Sequence, residues 1–136
     1  MNLLTRATIV LAVMATPAIV AAQSMPSGGK PMKMKAPSSK TATITGTVVD
    51  VSCKFGQGLG GPEHKMCSEV CADKGLPLAV LGDDGKLYLA ASSSMPGDPQ
   101  NARLKPFAEQ HVKVTGKVFS AAGAQAIQIA SIDAAK

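Results

Sequence analysis

The chain of 136 residues predicts a mainly β fold, and three observations carry that expectation. Short β-branched stretches with alternating polarity recur from Thr43 to the C-terminal end, as half-buried strands require. Thirteen glycines and nine prolines punctuate them, which excludes a helical bundle or a coiled coil. One segment, residues 62–73, has helical spacing instead, with Glu63 in its first turn and Gly75 as its stop.

The elements follow in order. Residues 43–51 (Thr-Ile-Thr-Gly-Thr-Val-Val-Asp-Val) read as the first strand, and the 62–73 helix comes next. Residues 77–81 and 86–90 form a hairpin around Gly82-Asp83-Asp84-Gly85, because Asp and Gly accept positive φ. Residues 92–99 are a loop, and residues 101–109 hold one helical turn limited by Pro106. Two alternating strands, 111–118 and 126–132, close the domain with Gly123 in their turn. Five strands in so short a chain protect their edges best by closing. The expected architecture is therefore a small OB-like five-stranded barrel with one helix after the first strand.

Ahead of the barrel, the sequence divides twice more. Residues 1–22 read as a secretory signal: Arg6, an apolar run over 7–15, then Val20-Ala21-Ala22 before Gln23. The run falls short of the roughly 20 residues that span a bilayer, and Pro17 interrupts it. No stable membrane anchor is therefore expected in the mature form, and the expected location is periplasmic or secreted, where thiols meet oxidising conditions. Residues 23–42 read as a disordered linker rich in Lys, Met, Pro and Ser, leaving 43–136 as the barrel domain. The net charge of +5 resides wholly in Arg6 and the linker lysines Lys30, Lys33, Lys35 and Lys40, because residues 43–136 hold nine basic and nine acidic groups. A neutral domain with three Phe, one Tyr and no Trp lacks the footprint of a nucleic-acid binder. Met25, Met32 and Met34 in the linker are soft thioethers that suit Cu(I), or are simply tolerated there.

The chemistry is concentrated in one cluster, Cys53-x10-His64-x2-Cys67-x3-Cys71, which holds all three cysteines and one of two histidines. On a helix over 62–73, His64, Cys67 and Cys71 share a face. Cys53 is expected at the end of the first strand, with the glycines at 56, 58, 60 and 61 as a flexible loop that returns it to that face. Three thiolates and an imidazole then suit Zn²⁺, or Cu(I) with fewer ligands. The competing expectation is a disulfide from Cys53 to Cys67 or Cys71 with one spare thiol, stapling an interaction or envelope module whose partner is an envelope protein. A thiol redox role is the third alternative. Enzyme readings fare poorly, since G-x-S-x-G and H-E-x-x-H are both missing and a Cys/His pair has no third group. His111, at the start of a strand, reads as a surface residue.

Gly46-Thr47-Val48-Val49-Asp50, Cys53, His64-Lys65-Met66-Cys67-Ser68-Glu69-Val70-Cys71, Gly75-Leu76-Pro77, residues 83–89 and residues 112–118 together resemble a group of small exported bacterial domains. These pair a signal peptide with an OB-like barrel and a G-x-V-x-D…C…H-x-x-C…C element, and are largely uncharacterised. The resemblance, over about 43–132, implies the fold and compartment above, with Cys53, His64, Cys67 and Cys71 as the characteristic positions. Periplasmic copper chaperones on small OB barrels are a weaker comparison, because no Trp is present to cap a Cu(I) site.

Overall fold

The computed structural model describes residues 37–135. The expected signal over 1–22, and the linker up to residue 36 with Met25, Met32 and Met34, lie outside the described residues.

Five strands close into a barrel in the order β1-β2-β3-β5-β4, with β4 returning to β1. Strand β1 (Ser39–Asp50) serves two neighbours. Its first nine residues pair antiparallel with β4 (His111–Ala121), and its last five with β2 (Leu78–Gly82). Strand β2 pairs with β3 (Leu87–Ala90), β3 runs parallel to β5 (Ala124–Ala134), and β5 pairs antiparallel with β4. Gly46 lies where β1 changes partner, and a Cβ there would stand 2.2 Å from the Leu81 carbonyl oxygen. Closure at this point requires a residue without a side chain.

The alternation seen in sequence is the burial pattern of the wall. Val112, Val114 and Val118 of β4 and Ile127 and Ile129 of β5 face inward, meeting Val48, Leu78, Val80 and Tyr88. Helix α3 (Asn101–Leu104), the third helix among the described residues, joins β3 to β4 together with a 3-10 turn at Lys105–Phe107. It places the fully buried Leu104 in the same core. Asn101 fastens this segment beside β2: its Oδ1 accepts from Leu78 N at 2.8 Å and its Nδ2 donates to Leu76 O at 2.7 Å.

Three boundaries differ from the sequence expectation. Strand β1 begins at Ser39, because Ser39 to Ala42 find ladder partners from Phe119 to Gly116. Strands β4 and β5 run on to Ala121 and from Ala124, because Ala122 (φ 49°) and Gly123 (φ 79°) make a two-residue turn with both φ positive, the turn that matches strand twist. The third correction concerns residues 51–57. They do not continue the strand into a flexible loop but form helix α1 (Val51–Gln57). The Asp50 side chain caps it by accepting from Cys53 N, and Gly58 in the left-handed region (φ 70°) ends it. The expected helix over 62–73 is present as a 3-10 turn at Pro62–His64 followed by α2 (Lys65–Asp73). No helix among the described residues is long and apolar enough to cross a membrane.

Candidate metal centre

The end of β1 builds the site. Asp50 is its last residue, 1% exposed. Its Oδ1 accepts from Cys53 N at 3.1 Å, so the first turn of α1 starts at once and carries the Cys53 thiol inward. From the other side, α2 presents Cys67 and Cys71 four residues apart, on one face. The sulfurs of Cys53, Cys67 and Cys71 all lie within 4.8 Å of one another, and they grade from buried Cys53 through half-buried Cys71 to exposed Cys67.

A second set overlaps the first. Ligand atoms of Asp50, Cys53 and His64 also lie within 4.8 Å of one another. The sequence expectation put His64 on the face of Cys67 and Cys71. The structure instead groups His64 with Asp50 and Cys53, because His64 closes the 3-10 turn rather than opening the α-helix. At 3.0 residues per turn its direction departs from the 3.6-residue stripe. Cys53 is the residue common to both sets.

Two polar atoms in this cluster are buried without a hydrogen-bond partner: Asp50 Oδ2 and His64 Nε2. An unmade hydrogen bond of this kind costs about 1–3 kcal/mol. The electrostatics reflect the crowding. For Asp50, burial pushes the carboxyl up, but the Cys53 N–H, the Cys71 and Cys53 thiols and the Ser52 N–H outweigh it, leaving the group below its ordinary value. The Asp50 carboxylate facing Cys71 pushes that thiol up to about 12, with burial adding in the same direction. Burial, then the charge of Asp50, pushes the Cys53 thiol up as well. A metal ion taking these sulfurs must displace their protons.

All three cysteines are free. The disulfide expected from Cys53 to Cys67 or Cys71 is therefore not formed. A bridge requires one sulfur pair near 2.05 Å in a strict Cβ geometry, whereas here one sulfur meets two others in an open triangle. His111, read as a surface residue, lies apart and is exposed, its Nε2 3.1 Å from Asp83 Oδ1.

Asp50 was missed as a site residue. An Asp three positions ahead of the residue whose N–H it receives is a helix-capping signal, and Asp50-Val51-Ser52-Cys53 carries it. Ser68 and Glu109, whose side chains meet beside the cluster (Ser68 Oγ donates to Glu109 Oε1 at 2.7 Å), have no comparable signal.

The chain matches no protein-family model, and no curated protein and no solved structure matches it. Fold and site together define a small closed β-barrel carrying a Cys/His cluster that could hold a metal ion.

Proposed function

We propose that this protein binds a borderline divalent cation of the Zn²⁺ class, with Cys53, Cys67 and Cys71 as thiolate ligands and His64, which the overlapping set brings to Cys53, turning in as the fourth. The observation that carries this is the pair of unpartnered buried atoms, His64 Nε2 and Asp50 Oδ2, in one 4.8 Å set with the sulfur that also belongs to the three-thiol set. A cation there gives His64 Nε2 the partner it lacks and lies against the Asp50 carboxylate, to which the Cys53 and Cys71 thiols otherwise donate. Three thiolates and a neutral imidazole are a common tetrahedral donor set for Zn²⁺. Asp50 keeps Cys53 in place through its cap and adds negative charge beside the ion.

The proposed role is metal binding or handling in an exported compartment, without catalysis. There, bound metal would also shield three adjacent thiols from oxidation. The all-sulfur triangle favours Cu(I) as the second reading, since Cu(I) accepts two or three soft ligands and leaves His64 and Asp50 aside.

Thiol titration of the reduced full chain tests the proposal. One equivalent of Zn²⁺ is expected to mask the thiols from a thiol reagent, and a chelator to unmask them. His64→Ala is expected to weaken this protection by about tenfold or more in Zn²⁺ affinity. Thiols that react equally fast with and without Zn²⁺ would overturn the Zn²⁺ reading. Protection by Cu(I) alone, indifferent to His64→Ala, would replace it with the second.

A further inference from the structure

Glu109 lies outside both donor sets yet touches the two arms that carry them. It sits just before β4, 7% exposed, with φ at 59°. A non-glycine side chain in that region is disfavoured by about 1–2 kcal/mol, so its surroundings must hold it there. Its main chain is pinned to β1: Glu109 N donates to Val48 O at 2.9 Å, and Gln110 O accepts from Val48 N at 3.0 Å, two residues before Asp50.

The side chain spends both carboxylate oxygens on the metal-bearing segment. Oε2 accepts from Gly61 N at 2.9 Å, and Gly61 O in turn accepts from His64 N at 2.9 Å. Oε1 accepts from Ser68 Oγ at 2.7 Å, and Ser68, fully buried, follows Cys67 directly on α2. One carboxylate therefore ties the turn that ends in His64, the helix that carries Cys67 and Cys71, and the strand that ends in Asp50. Within α2, Ser68 is the one buried residue; besides it, Ala72 is partly buried against the core and Asp73 pairs with Lys105.

We infer that Glu109 is a positioning residue of the metal centre, setting the approach of the His64 imidazole to the thiol triangle from outside the coordination sphere. The inference rests on the metal reading above. Removing the carboxylate frees the His64 turn from α2, and the site loses its fourth ligand before it loses its sulfurs. Glutamine can replace it, because its oxygen accepts from Gly61 N and its amide donates to a rotated Ser68 hydroxyl.

Co²⁺ reports this directly, because its visible bands follow ligand type and geometry. The full chain is expected to take up Co²⁺ with sulfur-to-metal bands and a tetrahedral spectrum. Glu109→Ala is expected to bind about tenfold more weakly, with a spectrum like that of His64→Ala and no additional loss when combined with it. Glu109→Gln is expected to restore the wild-type spectrum. Ser68→Ala, which cuts one tie and keeps the other, is expected to lie between, and it decides the matter if Glu109→Ala does not fold. A folded Glu109→Ala or Ser68→Ala with wild-type spectrum and affinity would overturn the positioning role and leave the metal centre standing. A wild-type chain that takes up no Co²⁺ or Zn²⁺ would remove both.

Discussion

The barrel wall and the segment between β1 and β2 are built by different means. The wall is apolar and closed: Val48, Val80, Val112, Val114 and Ile127 are fully buried, and so is the plug residue Leu104. The segment from α1 to α2 leaves Phe55, Leu59, Met66 and Val70 exposed, and its buried side chains are Cys53 and Ser68. Packing orders the wall. Polar ties order the segment: the Asp50 cap on α1 and the Glu109 carboxylate on Gly61 and Ser68. A region held by a few directional bonds around unpartnered polar atoms can respond to a ligand at little cost to the fold. The two regions should therefore fail separately when mutated.

The largest effect is expected from the wall. Leu104→Ala removes a fully buried side chain from the core cluster and should cost about 3 kcal/mol. In a domain of this size that is a fall in melting midpoint of roughly 15 °C. Below that midpoint, Zn²⁺ should still protect the thiols, because the plug lies in the barrel core and not in the segment. Loss of protection in the folded variant would break the distinction between the regions.

A middle-sized effect is expected at their junction. Asp50 ends the wall and starts the segment, so Asp50→Ala should lower stability by about 1 kcal/mol through the lost cap and also weaken Zn²⁺ protection. Asp50→Asn separates the two contributions. Asparagine caps as well as aspartate, so the metal-free midpoint should barely move while protection still weakens. Melting scans of both variants, with and without Zn²⁺, check this. Equal protection in Asp50→Asn and wild type would assign Asp50 to the cap alone.

The same contrast explains what the sequence could convey. The wall was legible because period-2 alternation at residues 111–118 and 126–132, and turn chemistry at Gly82-Asp83-Asp84-Gly85, are local properties that burial then enforces. Cys67 and Cys71 were legible as one helix face from their spacing, whereas Cys53 was expected to reach them through a flexible loop and is in fact carried there by α1. The direction of His64 was not, because the change from a 3-10 turn to α-helix between His64 and Lys65 leaves no mark in composition. Helix α1 was hidden by Val48, Val49 and Val51, whose β-branching read as one continuous strand, while the Asp50 cap overrides that preference. Glu109 reaches its partners across 41 and 48 residues, a distance no local pattern encodes.

The smallest effect concerns a polar tie within the wall itself. Asp84, in the β2–β3 turn, accepts from Tyr88 Oη at 2.7 Å, from Lys86 N at 3.1 Å and from Lys86 Nζ at 3.1 Å. The Tyr88 hydroxyl first, then the Lys86 N–H, hold its carboxyl down to about 2, against an ordinary 3.8. Between those values the unfolded chain binds the proton more readily than the folded one, so stability rises with pH. The contribution is complete above about pH 3.8 and disappears as pH falls through about 2. Unlike Asp50, this side chain is 42% exposed, and solvent screening keeps its effect small. Asp84→Asn removes the titration and keeps an acceptor for Tyr88. Melting midpoints of the two proteins should therefore converge as pH is lowered from 4 to 2, after a modest wild-type advantage above pH 4. A constant gap across that range would mean that the tie acts through turn geometry and not through charge.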